Sequence, residues 1–258
     1  MSQGAGRLRP APGSASLLLL AVVAAGAWVA VGGLAQGMGS MPGTMGLGPG
    51  AFIGVWALMM SAMMLPSAWP FASLYARSFG REERAGRLAV FVSAYLLVWS
   101  ASALPAYGAG WVADQLAGSH PLGARALAVT VFAVCGVYQL TPWKSRCLAR
   151  CRSPLGLILR YGGYRGKVRD LRVGISHGGF CLGCCWALML LLVAFGFMNM
   201  LAMVVLAGVV LMEKTWVWGP RAGRALGLVA LLLAVVAVFE PGLAPGLHHS
   251  RPAGGMPM

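Results

Sequence analysis

The chain has 258 residues, of which 59% are hydrophobic and only 10% charged, and its mean hydropathy is +0.75. These values exclude a soluble globular protein and indicate a polytopic membrane protein, since each span needs about 20 mostly apolar residues. A net charge of +14 would suggest a nucleic-acid partner in a soluble chain, but here the basic residues are placed as membrane topology requires. We therefore expect a lipid bilayer, and no nucleic acid, around this protein.

Apolar segments recur along the chain and predict an all-α membrane bundle of six or seven transmembrane helices. The candidate spans are residues 15–35, 51–75, 88–113, 123–143, 178–197, 199–213 and 225–240. As one helix, the nearly uncharged stretch 180–212 would be about 50 Å long, which is too long for a single crossing. Two spans that turn near Met198-Asn199-Met200 are favoured, and a single span is the alternative.

The chain divides into three predicted parts. Residues 1–50 hold a first span and an outer loop rich in Gly and Met that we expect to be flexible and unpacked. That span resembles a signal peptide, but its long apolar run and the lack of a clean cleavage site favour a retained anchor. Residues 51–240 form the membrane domain, and residues 241–258 form a disordered outer tail with His248, His249, Met256 and Met258.

The basic residues predict the orientation. If the N-terminus is cytoplasmic, all of the 20 Lys and Arg residues except Arg125 and Arg251 fall on the cytoplasmic side. Cytoplasmic loops of multispan proteins are enriched in Lys and Arg. The basic loop 144–172 is therefore predicted to lie inside, and the loop 36–50 outside.

Five of the six cysteines form two sets beside the basic loop, Cys147/Cys151 and Cys181/Cys184/Cys185. In a helix, His177, Cys181 and Cys184 would share one face. Cytoplasmic thiols stay reduced, so disulfides are not expected, and the neighbouring basic residues would lower the thiol pKa values. Reduced thiolates beside an imidazole predict a site for Cu(I), with zinc or an iron–sulfur cluster placed after it. The sixth cysteine, Cys135, is expected only to pack.

The second span carries four methionines at helical spacing: Met59, Met60, Met63 and Met64. Methionine ordinarily fills gaps between packed helices. A neutral thioether can also lie in hydrocarbon and ligate Cu(I), so packing and copper contact both remain open for this run. If they do bind copper, they form an outer site and the cysteines an inner one. Glu213 and Lys214 are expected to pair with each other or to extend to the membrane interface.

Several stretches in a fixed order resemble one known family. They run from Trp56 to Pro66, from Tyr138 to Pro154 and from His177 to Trp186, followed by Gly196, Met198-Asn199 and Glu213-Lys214. Together they are similar to the bacterial family of predicted metal-binding integral membrane proteins, long described as a domain of unknown function. That family includes a membrane copper chaperone that accompanies a bacterial tyrosinase. The resemblance covers residues 50–240 and implies a bacterial inner-membrane location and copper delivery to a tyrosinase-like enzyme.

Residues and resemblance together predict a membrane protein that binds Cu(I) and transfers it to a copper enzyme, without being an enzyme itself. Its candidate ligands are Cys147, Cys151, His177, Cys181, Cys184 and Cys185, with Met59, Met60, Met63 and Met64 in the second span. One alternative is a membrane thiol oxidoreductase that uses Cys181/Cys184 or Cys147/Cys151. The other is a structural or assembly subunit in which the sulfur residues only pack.

Overall fold

The computed structural model describes residues 14–38, 41, 43–160 and 166–247, and this part of the chain contains α-helices and no β-strand. The predicted all-α class is confirmed. The helices are α1 (Ser14–Met38), α2 (Pro49–Arg77), α3 (Arg81–Ala101), α4 (Ala103–Ser119), α5 (Pro121–Leu140), α6 (Pro142–Arg152), α7 (Pro154–Arg160), α8 (Gly166–Phe195), α9 (Met200–Thr215) and α10 (Gly219–Phe239). Two 3-10 turns, Pro241–Leu243 and Pro245–Leu247, follow them.

The helices form a multi-pass membrane bundle. Six segments of the described chain are long and apolar enough to cross a bilayer: Leu17–Met38, Pro49–Arg77, Glu82–Ala117, Pro121–Leu140, Val168–Phe195 and Gly219–Phe239. The third of these joins α3 and α4, which meet at Ser102. The Ser102 hydroxyl accepts a hydrogen bond from Trp56 Nε1 at 3.0 Å and donates one to Trp99 O at 2.6 Å, so this hydroxyl and the Trp56 indole N–H are satisfied at the junction.

Helices α8 and α9 form an antiparallel hairpin. Gly196, at φ +96°, ends α8 in the left-handed region that favours glycine. Asn199 then caps α9, since its Oδ1 accepts a hydrogen bond from Ala202 N and its Nδ2 donates one to Phe195 O, both at 3.1 Å. At the far end of α9, Lys214 reaches back to Cys181 in the middle of α8. The predicted turn near residue 199 is confirmed, and α9, with 16 residues, is not among the six segments that are long enough to cross a bilayer.

The predicted start of the span 178–197 is wrong, because α8 begins at Gly166. The added turns contain charged residues, among them Asp170, which is fully buried. Its carboxylate accepts hydrogen bonds from the Tyr75 hydroxyl and from Arg87 Nε, the latter at 3.0 Å. A neutralised and hydrogen-bonded carboxylate can lie inside the bundle, so the helix continues past the point at which hydropathy predicts its end.

The two ends of the bundle differ in charge. Loop 78–80, helices α6 and α7, the start of α8 and the α9–α10 connection lie at one end, here called the basic end. Arg84 Nε donates to Ala76 O at 2.8 Å, which joins α3 to α2 at this end. Arg152 Nη1 donates to Glu213 O, which joins α6 to the end of α9. Among the described residues, Arg125, near the start of α5, belongs to the opposite end. The described basic residues are therefore concentrated at one end of the bundle, as the sequence predicts.

The loop between α1 and α2 packs at the opposite end, which contradicts the expectation that it cannot pack. Thr44 N and Thr44 Oγ1 both donate to Asp114 Oδ2 in α4, the former at 2.9 Å. Met45, beside them, is 3% exposed. One carboxylate therefore fixes the loop where the sequence suggests only glycine-rich mobility. At the C-terminus Leu247 is buried, and His248, His249, Met256 and Met258 lie outside the described residues.

Two glycines of α8 bring α8 close to α3. A Cβ atom at Gly174 would lie 2.5 Å from Phe91 O, and one at Gly178 would lie 3.3 Å from Tyr95 O. Small residues four apart allow helix backbones to approach closely in membranes. This contact aligns Tyr95 of α3 with Cys181, one turn further along α8.

Candidate metal centre

Cys181 occupies the centre of a polar contact set inside the bundle. Its Sγ lies 2.9 Å from Lys214 Nζ of α9 and 3.0 Å from the Tyr95 hydroxyl of α3. Lys214 Nζ also donates to Ser67 Oγ of α2 at 2.9 Å. Three helices thus meet at the sulfur of Cys181, about 22 Å along α8 from Gly166 at 1.5 Å per residue, and α2 is joined to them through Lys214. Cys181 therefore lies near the middle of α8, and the position of the cysteine sets at the cytoplasmic side of the membrane stays a prediction.

The other buried thiols gather beside Cys181. Cys184 Sγ lies 3.1 Å from Cys185 Sγ and 3.8 Å from Cys151 Sγ, and it is 3.2 Å from the Cys181 carbonyl oxygen. All four of these cysteines are buried and free. Helix α6 supplies Cys151, so the structure brings together members of both predicted sets. We call Cys151, Cys181, Cys184 and Cys185 the thiol cluster.

Cys147 lies at the edge of the thiol cluster and is half-buried. Its Sγ rests against the α8 backbone, since a Cβ atom at Gly183 would be 2.9 Å from it. Glycine at position 183 therefore makes room for the first thiol of α6. Partial burial raises the pKa of the Cys147 thiol, with Arg150 opposing the shift. The expectation that neighbouring basic residues lower thiol pKa values is wrong for Cys147, because desolvation is the larger effect.

His177 is buried one helical turn before Cys181. Its ring is stacked on Phe71, with the ring centroids 4.2 Å apart, and Phe91 and Tyr95 lie around it at 5.9 and 5.6 Å. Its Nδ1 has no hydrogen-bond partner among the described residues. The imidazole is therefore held in position by aromatic stacking, and no hydrogen bond occupies that nitrogen.

The four methionines of α2 are fully buried and their run ends next to the thiol cluster. The carbonyl oxygen of Met64 accepts hydrogen bonds from Ser67 Oγ at 2.9 Å and from the Tyr95 hydroxyl at 3.4 Å. Because the same hydroxyl contacts Cys181, Met64 and Cys181 lie at one depth in the bundle. Met59, Met60 and Met63 extend from there towards the opposite end. The backbone of Met64 thus adjoins Cys181, and the outer and inner metal sites that the sequence suggests stay predictions.

The two charged residues near the end of α9 point to different partners. Glu213 Oε2 lies 2.6 Å from Lys144 Nζ, and Glu213 Oε1 accepts a hydrogen bond from Gln139 Nε2 at 3.2 Å. Lys214 instead contacts Cys181 and Ser67. The expected Glu213–Lys214 pair is wrong, since adjacent residues on a helix do not face each other. Both residues are buried, so extension to the interface is also wrong for them.

Sequence reasoning missed the roles of Lys214, Tyr95 and Ser67 in this site. An ionisable residue in an apolar segment is itself a signal of function, and Lys214 carried that signal. Tyr95 and Ser67 give no such signal, because their part depends on which helices pack together. Within the described ranges, no three His, Cys, Asp or Glu side chains are already arranged around one metal position. The centre is a thiol cluster with lysine as the cation nearest to Cys181.

Comparison with known proteins agrees with this chemistry. The family model PpoB2, described as a copper chaperone, matches residues 53–237. This range includes α3 to α9, nearly all of α2 and α10, and every cysteine and methionine proposed as a ligand. No curated protein and no solved structure matches the chain. The match supports a chaperone role related to copper, and the chain belongs to the PpoB2 copper chaperone family.

Proposed function

We propose that this protein carries Cu(I) in its thiol cluster and delivers it to a copper enzyme. The observation that carries the proposal is the convergence of thiols from two helices, with Cys184 Sγ 3.1 Å from Cys185 Sγ and 3.8 Å from Cys151 Sγ. Thiolates are soft ligands that bind Cu(I) well, and the family match to a copper chaperone favours copper over the other soft metals. Cys181 completes the cluster, and small side-chain movements would bring its members around one ion. His177 and Cys147 are the further candidate ligands.

The methionine run supplies a route for the ion. Thioether ligands are neutral and hold Cu(I) less tightly than thiolates, so movement from the methionines to the thiol cluster is downhill. The contact of Tyr95 with both Met64 and Cys181 makes the two sets neighbours on that route. Copper would enter from the opposite end, pass Met59, Met60, Met63 and Met64, and reach the cysteines.

The distribution of basic residues supports an orientation in the membrane, and the family resemblance supports a recipient. The concentration of Lys and Arg at the basic end supports placing that end, with the N-terminus, in the cytoplasm of a bacterium, with the bundle in the inner membrane. The sequence resemblance supports a tyrosinase-like copper enzyme as recipient. The protein itself acts as a carrier, not as an enzyme.

The separation of 3.8 Å between Cys151 and Cys184 also favours a second candidate, a thiol oxidoreductase in which these two cysteines form a disulfide. This function needs no bound metal and requires an oxidised state that a thiol reagent can detect. Metal content and thiol titration on the same purified sample therefore separate the two candidates.

The first test is bound copper in protein purified in detergent under reducing conditions. Cys184→Ser is expected to lower the copper-to-protein ratio to about a tenth or less, because a hard hydroxyl replaces the thiolate at the centre of the cluster. Cys135→Ser is the matched control, since Cys135 is a buried cysteine of α5 outside the thiol cluster. Equal copper in the two variants would contradict the proposal.

The methionine route has its own test. Met63→Leu/Met64→Leu nearly conserves volume, so we expect a loss in unfolding free energy below about 1.5 kcal/mol. Without the thioethers, activation of the recipient enzyme at limiting copper should fall, and excess copper should restore it. Activation is measured as enzyme activity against copper concentration in cells. An unchanged curve would return these methionines to a packing role.

A further inference from the structure

Lys214 is placed where the cargo ion would have to bind. Its Nζ is 2.9 Å from Cys181 Sγ, and metal–thiolate bonds measure about 2.3 Å, as they do for zinc. An ion bound to Cys181 would therefore lie within a few ångströms of the ammonium group. The lysine is 9% exposed, so little water is present to screen its charge.

The charge of Lys214 is not neutralised by a carboxylate. Glu213, its neighbour in sequence, is paired with Lys144 at 2.6 Å. No carboxylate oxygen of the described residues lies within 4.0 Å of Lys214 Nζ, which contacts the neutral Ser67 hydroxyl and the Cys181 sulfur. The positive charge is thus directed at the thiol cluster itself.

Ligand type alone does not exclude zinc from this cluster. Four cysteine thiolates are the ligand set of many structural Zn(II) sites, and the cluster contains four buried cysteines. Cu(I) and Zn(II) have the same filled d shell and both bind thiolates. They differ in charge, and the repulsion between a fixed cation and a bound ion is twice as large for a divalent ion.

Resting on the proposed function, we propose that Lys214 determines the specificity of the centre, because its ammonium group disfavours divalent metals and leaves monovalent Cu(I) as the cargo. A fixed charge in a buried site discriminates between monovalent and divalent metal ions even where the ligands bind both.

The test is a competition between Cu(I) and Zn(II) on the whole protein in detergent, under anaerobic and reducing conditions, with both metals measured per protein. Lys214→Leu removes the charge and adds no thioether or other metal ligand beside Cys181. We expect its bound zinc-to-copper ratio to rise by about tenfold or more over wild type, given the size of Coulomb energies at these distances. Lys214→Gln is the second uncharged variant, and it retains a group that can hydrogen-bond Ser67 if the Leu variant does not fold.

Two variants that keep the charge serve as controls. Lys214→Arg should restore the wild-type ratio, and Ser67→Ala, which removes the hydroxyl partner of Lys214, should leave it unchanged. If Lys214 only stabilises the fold, all four variants would change the yield together without changing the ratio, and the specificity role would be overturned. If wild type binds copper but the ratio is the same in the uncharged variants, the specificity role fails alone. Absence of copper from wild type would overturn the carrier function as well.

Discussion

Glu213→Ala is expected to lower the free energy of unfolding by about 3–5 kcal/mol. The substitution leaves the Lys144 ammonium, 3% exposed, without its carboxylate partner at 2.6 Å. It also removes the acceptor of the Gln139 amide. An uncompensated buried charge is among the most destabilising changes that a single substitution can make. The protein is heated in detergent, and its unfolding is measured as the loss of the fraction that remains monodisperse after heating.

The pair itself is tested by removing both partners. The double variant Glu213→Ala/Lys144→Ala leaves no unpaired charge, so it should be more stable than Glu213→Ala alone, with a coupling energy of about 1–3 kcal/mol between the sites. Strictly additive losses would show that the pair is not the source of the effect. Neither substitution directly changes the contacts of Lys214 with Cys181 and Ser67.

Gly174→Leu is expected to separate α3 from α8. Even a Cβ atom at this position would lie 2.5 Å from the backbone oxygen of Phe91, which cannot rotate away as a side chain would. Overpacking costs about 1–3 kcal/mol in soluble cores. Displacement of α3 also withdraws Tyr95 from Cys181, so bound copper should fall with stability. Thermal unfolding and copper content are measured on the same sample.

Gly179→Leu is the matched control, because a Cβ atom there meets no atom within 4 Å. Both glycines belong to the same helix, and the two substitutions add the same side chain. Equal losses at the two positions would mean that helix propensity, rather than the α3–α8 contact, determines the result.

Much of the fold could be predicted from hydropathy alone. Long apolar segments and the placement of Lys and Arg are direct consequences of the bilayer as solvent, which is why the all-α bundle and the turn at Asn199 were predicted correctly. The start of α8 could not be predicted in this way. Asp170 lies in the bundle because Arg87 of α3 neutralises its charge and Tyr75 of α2 donates a hydrogen bond to it, and a partner on another helix is not visible in the local sequence.

The candidate site was predictable to a similar extent. Cysteine spacing indicated the thiol cluster, because residues four apart on a helix share a face. The depth of the cluster, its contact with the methionine run and the separate partners of Glu213 and Lys214 depend on how helices pack and rotate. Tyr95 illustrates the limit, since an ordinary tyrosine in an apolar helix becomes the link between Met64 and Cys181 only when α3 meets α8.

The hairpin of α8 and α9 makes the contact between Lys214 and Cys181 sensitive to the angle between these two helices. Cys181 lies as many residues before the end of α8 at Phe195 as Lys214 lies after the start of α9 at Met200, so the two arms are equally long. At 1.5 Å per residue each arm measures about 21 Å, and a change of about 5° at the bend would move the two ends about 2 Å apart. That displacement breaks the contact between ammonium and sulfur. The bend at Gly196 and Asn199, about 21 Å along each helix from the contact, therefore sets the distance between the Lys214 ammonium and the Cys181 sulfur.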